Sequence, residues 1–261
     1  MLGIFDSHAH YEDERFDEDR EQLLSSMSSK NVSYIINVGS SIETSKKTVE
    51  LVRQYSYMYG SVGVHPEECG DMSEADLEVI RDLATKDKIV AIGEIGLDYY
   101  WPEPEHDIQK KWFHRQMELA VSLKLPVIIH SRDAAKDTMD IIKKYSHGLV
   151  DGRKGIIHCY SGSPEMAKEY VNMGFCIGVG GVLTFKNAAK LKKVVEEIDI
   201  KSIVIETDCP YMAPVPFRGK RNDSSLLKYV AEGIAEIKGL SVEEVVNVTC
   251  QNALKVYGIE V

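Results

Sequence analysis

The stretch FDSHAHYE sets His8 and His10 two residues apart at the end of a short apolar opening. In an extended strand, residues i and i+2 point to one face, so this spacing presents two imidazoles together while Ser7 and Ala9 turn away. Neutral imidazole combined with carboxylate oxygen suits zinc, manganese or iron, and mixed sets of this kind are typical of hydrolytic sites that keep a position open for water. A solitary strand-end histidine is more often a hydrogen-bonded structural residue, so one HxH pair carries little weight. The same pattern recurs, however: Glu94 in IVAIGEI, His130 in PVIIH, His158 in KGIIHC and Asp208 in SIVIETD each end an apolar run. Four histidines and two carboxylates exceed the needs of one catalytic ion. They match two ions about 3.5–4 Å apart, which stabilise both attacking and leaving oxygens in phosphoester displacement.

These side chains meet only if the elements that carry them converge. Eight Val- and Ile-rich runs can be counted, at residues 2–6, 33–39, 58–64, 89–95, 126–130, 154–159, 175–181 and 202–208. Amphipathic stretches of helical length separate them, with apolar faces such as Leu77, Ile80 and Leu83, or Leu227, Val230, Ala231 and Ile234. Repeated strand–helix units fit a (β/α)8 TIM barrel, in which all strand C-termini open on one face. The count alone leaves an open doubly wound sheet as an alternative. Ser241, with Glu244 three residues on, reads as the capping box of an extra C-terminal helix reaching Tyr257. No linker or low-complexity tract divides the chain, so a single domain over 1–261 is expected.

Composition narrows the function classes. The chain has 261 residues, and no apolar run approaches the roughly 20 residues needed to cross a bilayer. Nothing at the N-terminus resembles a signal peptide, so a cytoplasmic protein is expected. Five cysteines, scattered and never in CxxC spacing, read as reduced thiols. A net charge of -10 argues against gripping nucleic acid through a broad basic face, so any such substrate needs local positive charge.

Seven motifs, FDSHAH, GVHPEE, IGEIGLDYYW, LPVIIHSRDA, HCYSG, ETDCPYMAP and PFRGKRN, together resemble the TatD family of metal-dependent hydrolases and deoxyribonucleases, a branch of the amidohydrolase-like barrels. The resemblance runs from the first strand to about Asn222. It implies a two-metal site with Mg2+, Mn2+ or Zn2+, in which His8, His10 and Asp208 hold one ion, His130 and His158 the other, and Glu94 bridges them. It implies Asp208 as the base that orients and deprotonates the attacking water, and DNA as substrate, cleaved 3'-to-5' at single-stranded or frayed ends. Asp223 follows Asn222 where the family usually continues with glutamate, and is a cap candidate for the next helix.

Around this set lie candidate substrate contacts. His65, by resemblance, contacts substrate phosphate, or else it caps its loop. Asp98 orients a ligand or caps backbone amides. Arg132, two residues after His130, should face the mouth as a phosphate clamp, with Asp133 as a helix N-cap. Arg218 and Lys220 belong to the densest positive cluster, RGKRN. Tyr99, Tyr100 and Trp101 stack bases or pack as a lid. Strand alternation turns Cys159 and Cys209 away from the mouth, as packing thiols. The leading expectation is a deoxyribonuclease, monomeric or weakly oligomeric. The alternatives are an ester or amide hydrolase such as a D-aminoacyl-tRNA deacylase, since the same chemistry attacks carbonyl carbon, and an inactive metal-binding scaffold.

Overall fold

The computed structural model describes residues 2–260. All eight apolar runs form strands: β1 (Ile4–Ala9), β2 (Val32–Val38), β3 (Met58–Val62), β4 (Ile89–Asp98), β5 (Val127–Arg132), β6 (Gly155–Ile157), β7 (Cys176–Val179) and β8 (Ile203–Ile205). They pair in parallel in the order β1 to β8, each with its neighbour in sequence. The ring is completed where Ala9 bridges Cys209 and Asp208 N–H donates to His8 O at 2.9 Å. This is the expected (β/α)8 TIM barrel, and the open-sheet alternative is excluded because β1 meets the end of β8.

The helices are α1 (Arg20–Ser25), α2 (Ile42–Val52), α3 (Glu74–Ala84), α4 (His106–Leu123), α5 (Ala135–Tyr145), α6 (Pro164–Asn172), α7 (Ala189–Glu197), α8 (Leu227–Lys238) and α9 (Val242–Tyr257). Serines at 41, 73 and 241 start α2, α3 and α9 with reciprocal capping boxes, which satisfy amide groups that the first helical turn leaves unpaired. Asp133 is not the cap of α5. It adopts φ 53, and Ala134 precedes the helix without a side-chain cap.

Two apolar clusters follow from strand alternation. Residues such as Ile35, Ile92, Ile129 and Ile205 pack outward against the helices. Phe5, Ile128, Ile156 and Val204 fill the barrel interior and join Cys250, Ala253 and Tyr257 of α9, so the extra C-terminal helix plugs that interior. Fully burying a side chain of this size contributes about 1.5–3 kcal/mol. Tyr257 also donates its hydroxyl to Ser7 O at 2.8 Å, tying the last helix to the first strand. Gly96, at φ 150, lies where a Cβ would run into the His130 carbonyl, so only glycine lets β4 lie this close to β5 beside the site.

Candidate metal centre

His8 and His10 point together as their spacing requires, with their Nε2 atoms 3.0 Å apart. Glu94 lies inside β4, which runs three residues beyond its expected end at Ile95, and its two carboxylate oxygens face different histidines. Oε2 lies 3.4 Å from His8 Nε2 and 3.9 Å from His10 Nε2. Oε1 lies 2.9 Å from His130 Nδ1, 3.6 Å from His158 Nε2 and 3.9 Å from His65 Nε2. Asp208 follows β8 at φ 54, and its Oδ1 lies 3.4 Å from His10 Nε2, 3.7 Å from His8 Nε2 and 3.8 Å from His158 Nε2. All six metal-capable residues therefore converge on the mouth.

The donor set fits divalent cations. Ligands about 2.0–2.2 Å from an ion stand about 3.0–3.5 Å from one another, which is close to the spacing here. Two imidazole nitrogens 3.0 Å apart share at most one proton, and the atoms around them are carboxylate oxygens. Three groups of possible ligands emerge: His8, His158 and Asp208; His8, His10 and Glu94; His65, Glu94 and His130. His65 thus joins the cluster, with ring centroids 4.3 Å from His130, against 6.5 Å between His130 and His158. Its Nδ1 accepts from Glu67 N–H at 3.2 Å, so it caps its loop as well.

The electrostatics are those of a site built around positive charge. Burial would raise the Glu94 carboxyl, but His158 and His8 hold it well below the usual carboxylate range. Burial disfavours charge on His130, yet Asp98 and Glu94 push it up to about 9. His158 is likewise pushed up to about 9, by Glu206 and Glu94 against burial. Burial, with His130 beside it, takes His65 down to about 3.

Residues 5–258 match the model of the TatD related DNase family. The chain belongs to that family. It is 44% identical over 256 residues to the uncharacterized metal-dependent hydrolase YabD of Bacillus subtilis (strain 168), covering 98% of this chain and 99% of the relative. It is 33% identical over 262 residues to YcfH of Escherichia coli (strain K12), described in the same words, covering 99% and 97%. The crystal structure of YJJV, a TatD homolog from Escherichia coli K12, superposes with a TM-score of 0.92 at 28% identity over the whole of both chains. The protein is therefore a TatD-family metal-dependent hydrolase.

Within this TatD barrel, carboxylates stand behind the histidines, and of these Glu206 and Glu12 were not expected from the sequence. Asp98 is fully buried, and its Oδ2 lies 3.0 Å from His130 Nε2 while Oδ1 accepts from Tyr100 N–H. It caps a backbone amide, as one of its two expectations had it. Glu206, also buried, accepts from Cys159 N–H and puts Oε1 3.1 Å from His158 Nδ1, off the direction of a good hydrogen bond. Its Oε2 is buried without a partner, in space left by the missing side chain of Gly178. Glu12 Oε1 stands 3.4 Å from His10 Nδ1, which bonds Val38 O at 2.8 Å. Such outer partners fix ring orientation and raise ligand basicity. Glu206 stands two residues before Asp208, and this i, i+2 repeat of the HxH pattern was the available signal.

The mouth opens into a cavity of about 530 Å³ lined by His65, Glu94, His130, His158 and Asp208 together with Arg132, Cys159 and Tyr211. Arg132 faces it as expected. Cys159 does too, contrary to expectation: β6 ends at Ile157, alternation stops there, and at φ 43 the half-buried residue lines the cavity with its sulfur 3.9 Å from Met212 Sδ. Cys209 is buried as anticipated. Arg218 and Lys220 are exposed, lie over the rings of Phe185 and Phe217, and are absent from the cavity wall. Arg221 is a tether, paired bidentately with Asp19. Tyr99 packs as part of the fold, its hydroxyl on Asp137 and its ring stacked on His106 at 3.7 Å, whereas Tyr100 and Trp101 are exposed. Asp223 caps the 3-10 turn before α8 by accepting from Ser225 N–H.

Proposed function

We propose that this TatD-family hydrolase is a deoxyribonuclease that cleaves DNA phosphodiester bonds, acting 3'-to-5' on single-stranded or frayed ends. The observation that carries the reading is Glu94, whose two oxygens face two separate histidine sets at one open cavity. On this reading His8, His10 and Asp208 hold one ion, His130 and His158 the other, and Glu94 spans both. His65 is close enough to Glu94 and His130 to complete the second set. Two divalent ions, Mg2+, Mn2+ or Zn2+, would lower the pKa of the attacking water and offset charge on the phosphoryl oxygens.

The chain's own groups do the rest. Asp208, at the cavity and 3.4 Å from His10, orients the attacking water and takes its proton. Arg132 offers the phosphate a planar guanidinium from the cavity wall. Asp98 and Glu206 hold the rings of His130 and His158 in register. Arg218 and Lys220 contribute at most to attraction along the strand beyond the cavity. No helix among the described residues is long and apolar enough to cross a membrane, and the five thiols are free; on this reading the hydrolase acts in the cytoplasm as a monomer or weak oligomer.

The test is cleavage of a 5'-labelled single-stranded DNA oligomer by chelator-stripped protein re-supplied with Mg2+, Mn2+ or Zn2+, beside Asp208→Asn. Stepwise shortening from the 3' end that requires metal and is lost in the variant is expected. Intact DNA with every ion overturns the nuclease reading and turns the search to acyl substrates such as misacylated tRNA.

A further inference from the structure

Among the described residues the exposed large apolar side chains are few: Tyr100, Trp101, Tyr211, Val215 and Val242. Two of them are backed in the same way. Arg132 lies over the Tyr100 ring at 3.6 Å, and Arg15 lies over the Tyr211 ring at 4.1 Å. Tyr100 follows β4 and Tyr211 follows β8, four strands apart in a ring of eight, hence on opposite sides of the mouth. Each is fixed to the candidate metal centre by a single hydrogen bond. Tyr100 N–H donates to Asp98 Oδ1 at 2.9 Å, the carboxylate whose other oxygen meets His130, and Tyr211 N–H donates to Asp208 O at 2.9 Å. Asn222 holds Tyr211 again from behind, donating to its carbonyl at 2.8 Å. A tyrosine held half-exposed, at 52% for Tyr100 and 48% for Tyr211, is packed on one side by a guanidinium and leaves about half of its surface in water.

We infer that Tyr100 with Arg132, and Tyr211 with Arg15, are two stacking platforms that hold unpaired bases on either side of the scissile phosphate. The inference rests on the deoxyribonuclease reading and names its substrate more narrowly as single-stranded nucleic acid whose bases are splayed apart. Every base has a π-face, so a ring platform is tolerant of sequence. A guanidinium stacked by its face keeps its N–H edges for phosphate, and Arg132 does this at the cavity wall. Duplex DNA keeps its bases stacked on each other and cannot use either platform. The two sites together give a net-acidic protein a grip on DNA that does not depend on a broad basic face.

The test compares Mn2+-supplied full-length protein on a dT decamer and on a decamer with abasic residues, which has the same charge and no bases. Stacking on one aromatic is worth about five-fold to a hundred-fold in affinity. The wild type is expected to prefer the normal decamer by at least about ten-fold in kcat/KM. The double variant Tyr100→Ala/Tyr211→Ala should lose that preference, while Tyr100→Phe/Tyr211→Phe, which keeps the rings, should retain it. Cleavage of the dT decamer without preference over the abasic one, or a preference that survives both alanines, overturns the platforms and leaves the nuclease reading standing. Cleavage of neither oligomer overturns the nuclease reading, and the platforms fall with it.

Discussion

The two ends of the barrel interior are built from the same strands and obey opposite rules. At the plugged end, Phe5, Ile156, Cys176 and Val204 meet Cys250, Ala253 and Tyr257 in a buried apolar cluster, and the Tyr257 hydroxyl finds Ser7 O. At the open end, four histidines and two carboxylates crowd within 2.9–3.9 Å of a neighbour, and His8 Nδ1 and Glu206 Oε2 are buried with no partner. Strand β1 serves both, giving Phe5 to the plug and His8, with His10 just past its end, to the mouth. A few residues along one strand separate the part that stabilises from the part that acts. The mouth can hold groups that repel or lack partners because cohesion is supplied elsewhere.

This contrast can be broken from either side. The largest effect is expected at the mouth: Glu94→Gln should lower hydrolytic activity by about a thousand-fold or more, since on the proposed reading this carboxylate would hold ions that supply several kcal/mol to the transition state. The thermal melt of the metal-free protein should show that the variant still folds, and near-wild-type turnover would remove Glu94 from its bridging role. At the plug, Tyr257→Ala should cost about 3–5 kcal/mol of stability. Metal content of the folded fraction should not change, and a loss of bound metal would show that the two ends are coupled.

Acidity sharpens the comparison further. His130 and His158 are raised from the ordinary 6.5 to about 9 by Asp98, Glu206 and Glu94 acting against burial. In the metal-free protein their protonation contributes stability that is complete below about 6.5 and lost as pH rises through about 9. Metal binding runs the other way, because a cation needs the neutral rings. Calorimetric Mn2+ titrations should therefore show affinity rising by about ten-fold or more per pH unit from 6 to 8. A flat profile would sink this account of the site. The smallest effect concerns the basic loop. Arg221→Ala should cost about 1 kcal/mol or less through its lost pair with Asp19, whereas Arg218→Ala should leave the melting temperature unchanged.

Where strand periodicity holds, the sequence was legible. All eight runs became strands, the Ser241 capping box opened α9, and His8, His10, Glu94, His130, His158 and Asp208 met where strand ends converge. Errors begin where alternation ends. Cys159 was assigned to the wrong side because β6 stops two residues earlier, and Asp133 takes a left-handed conformation that a cap does not. The RGKRN cluster looked like one basic patch, yet its members divide between open surface and a tether, a distinction set by the distant Asp19. Glu206 and Asp98 were undervalued as partners of histidine because charged residues are rarely buried unless paired, and their pairs come from other strands.

The seam between first and last strands has a consequence in time. Ser7 donates to Ile205 O and Thr207 to Asp6, contacts that join positions about two hundred residues apart. Such long loops close slowly and only once both ends exist. During synthesis the early histidines leave the ribosome long before Asp208. A growing chain thus carries scattered donors but no assembled centre, so on the proposed reading this hydrolase is harmless to nucleic acid until the segment after β8 has emerged.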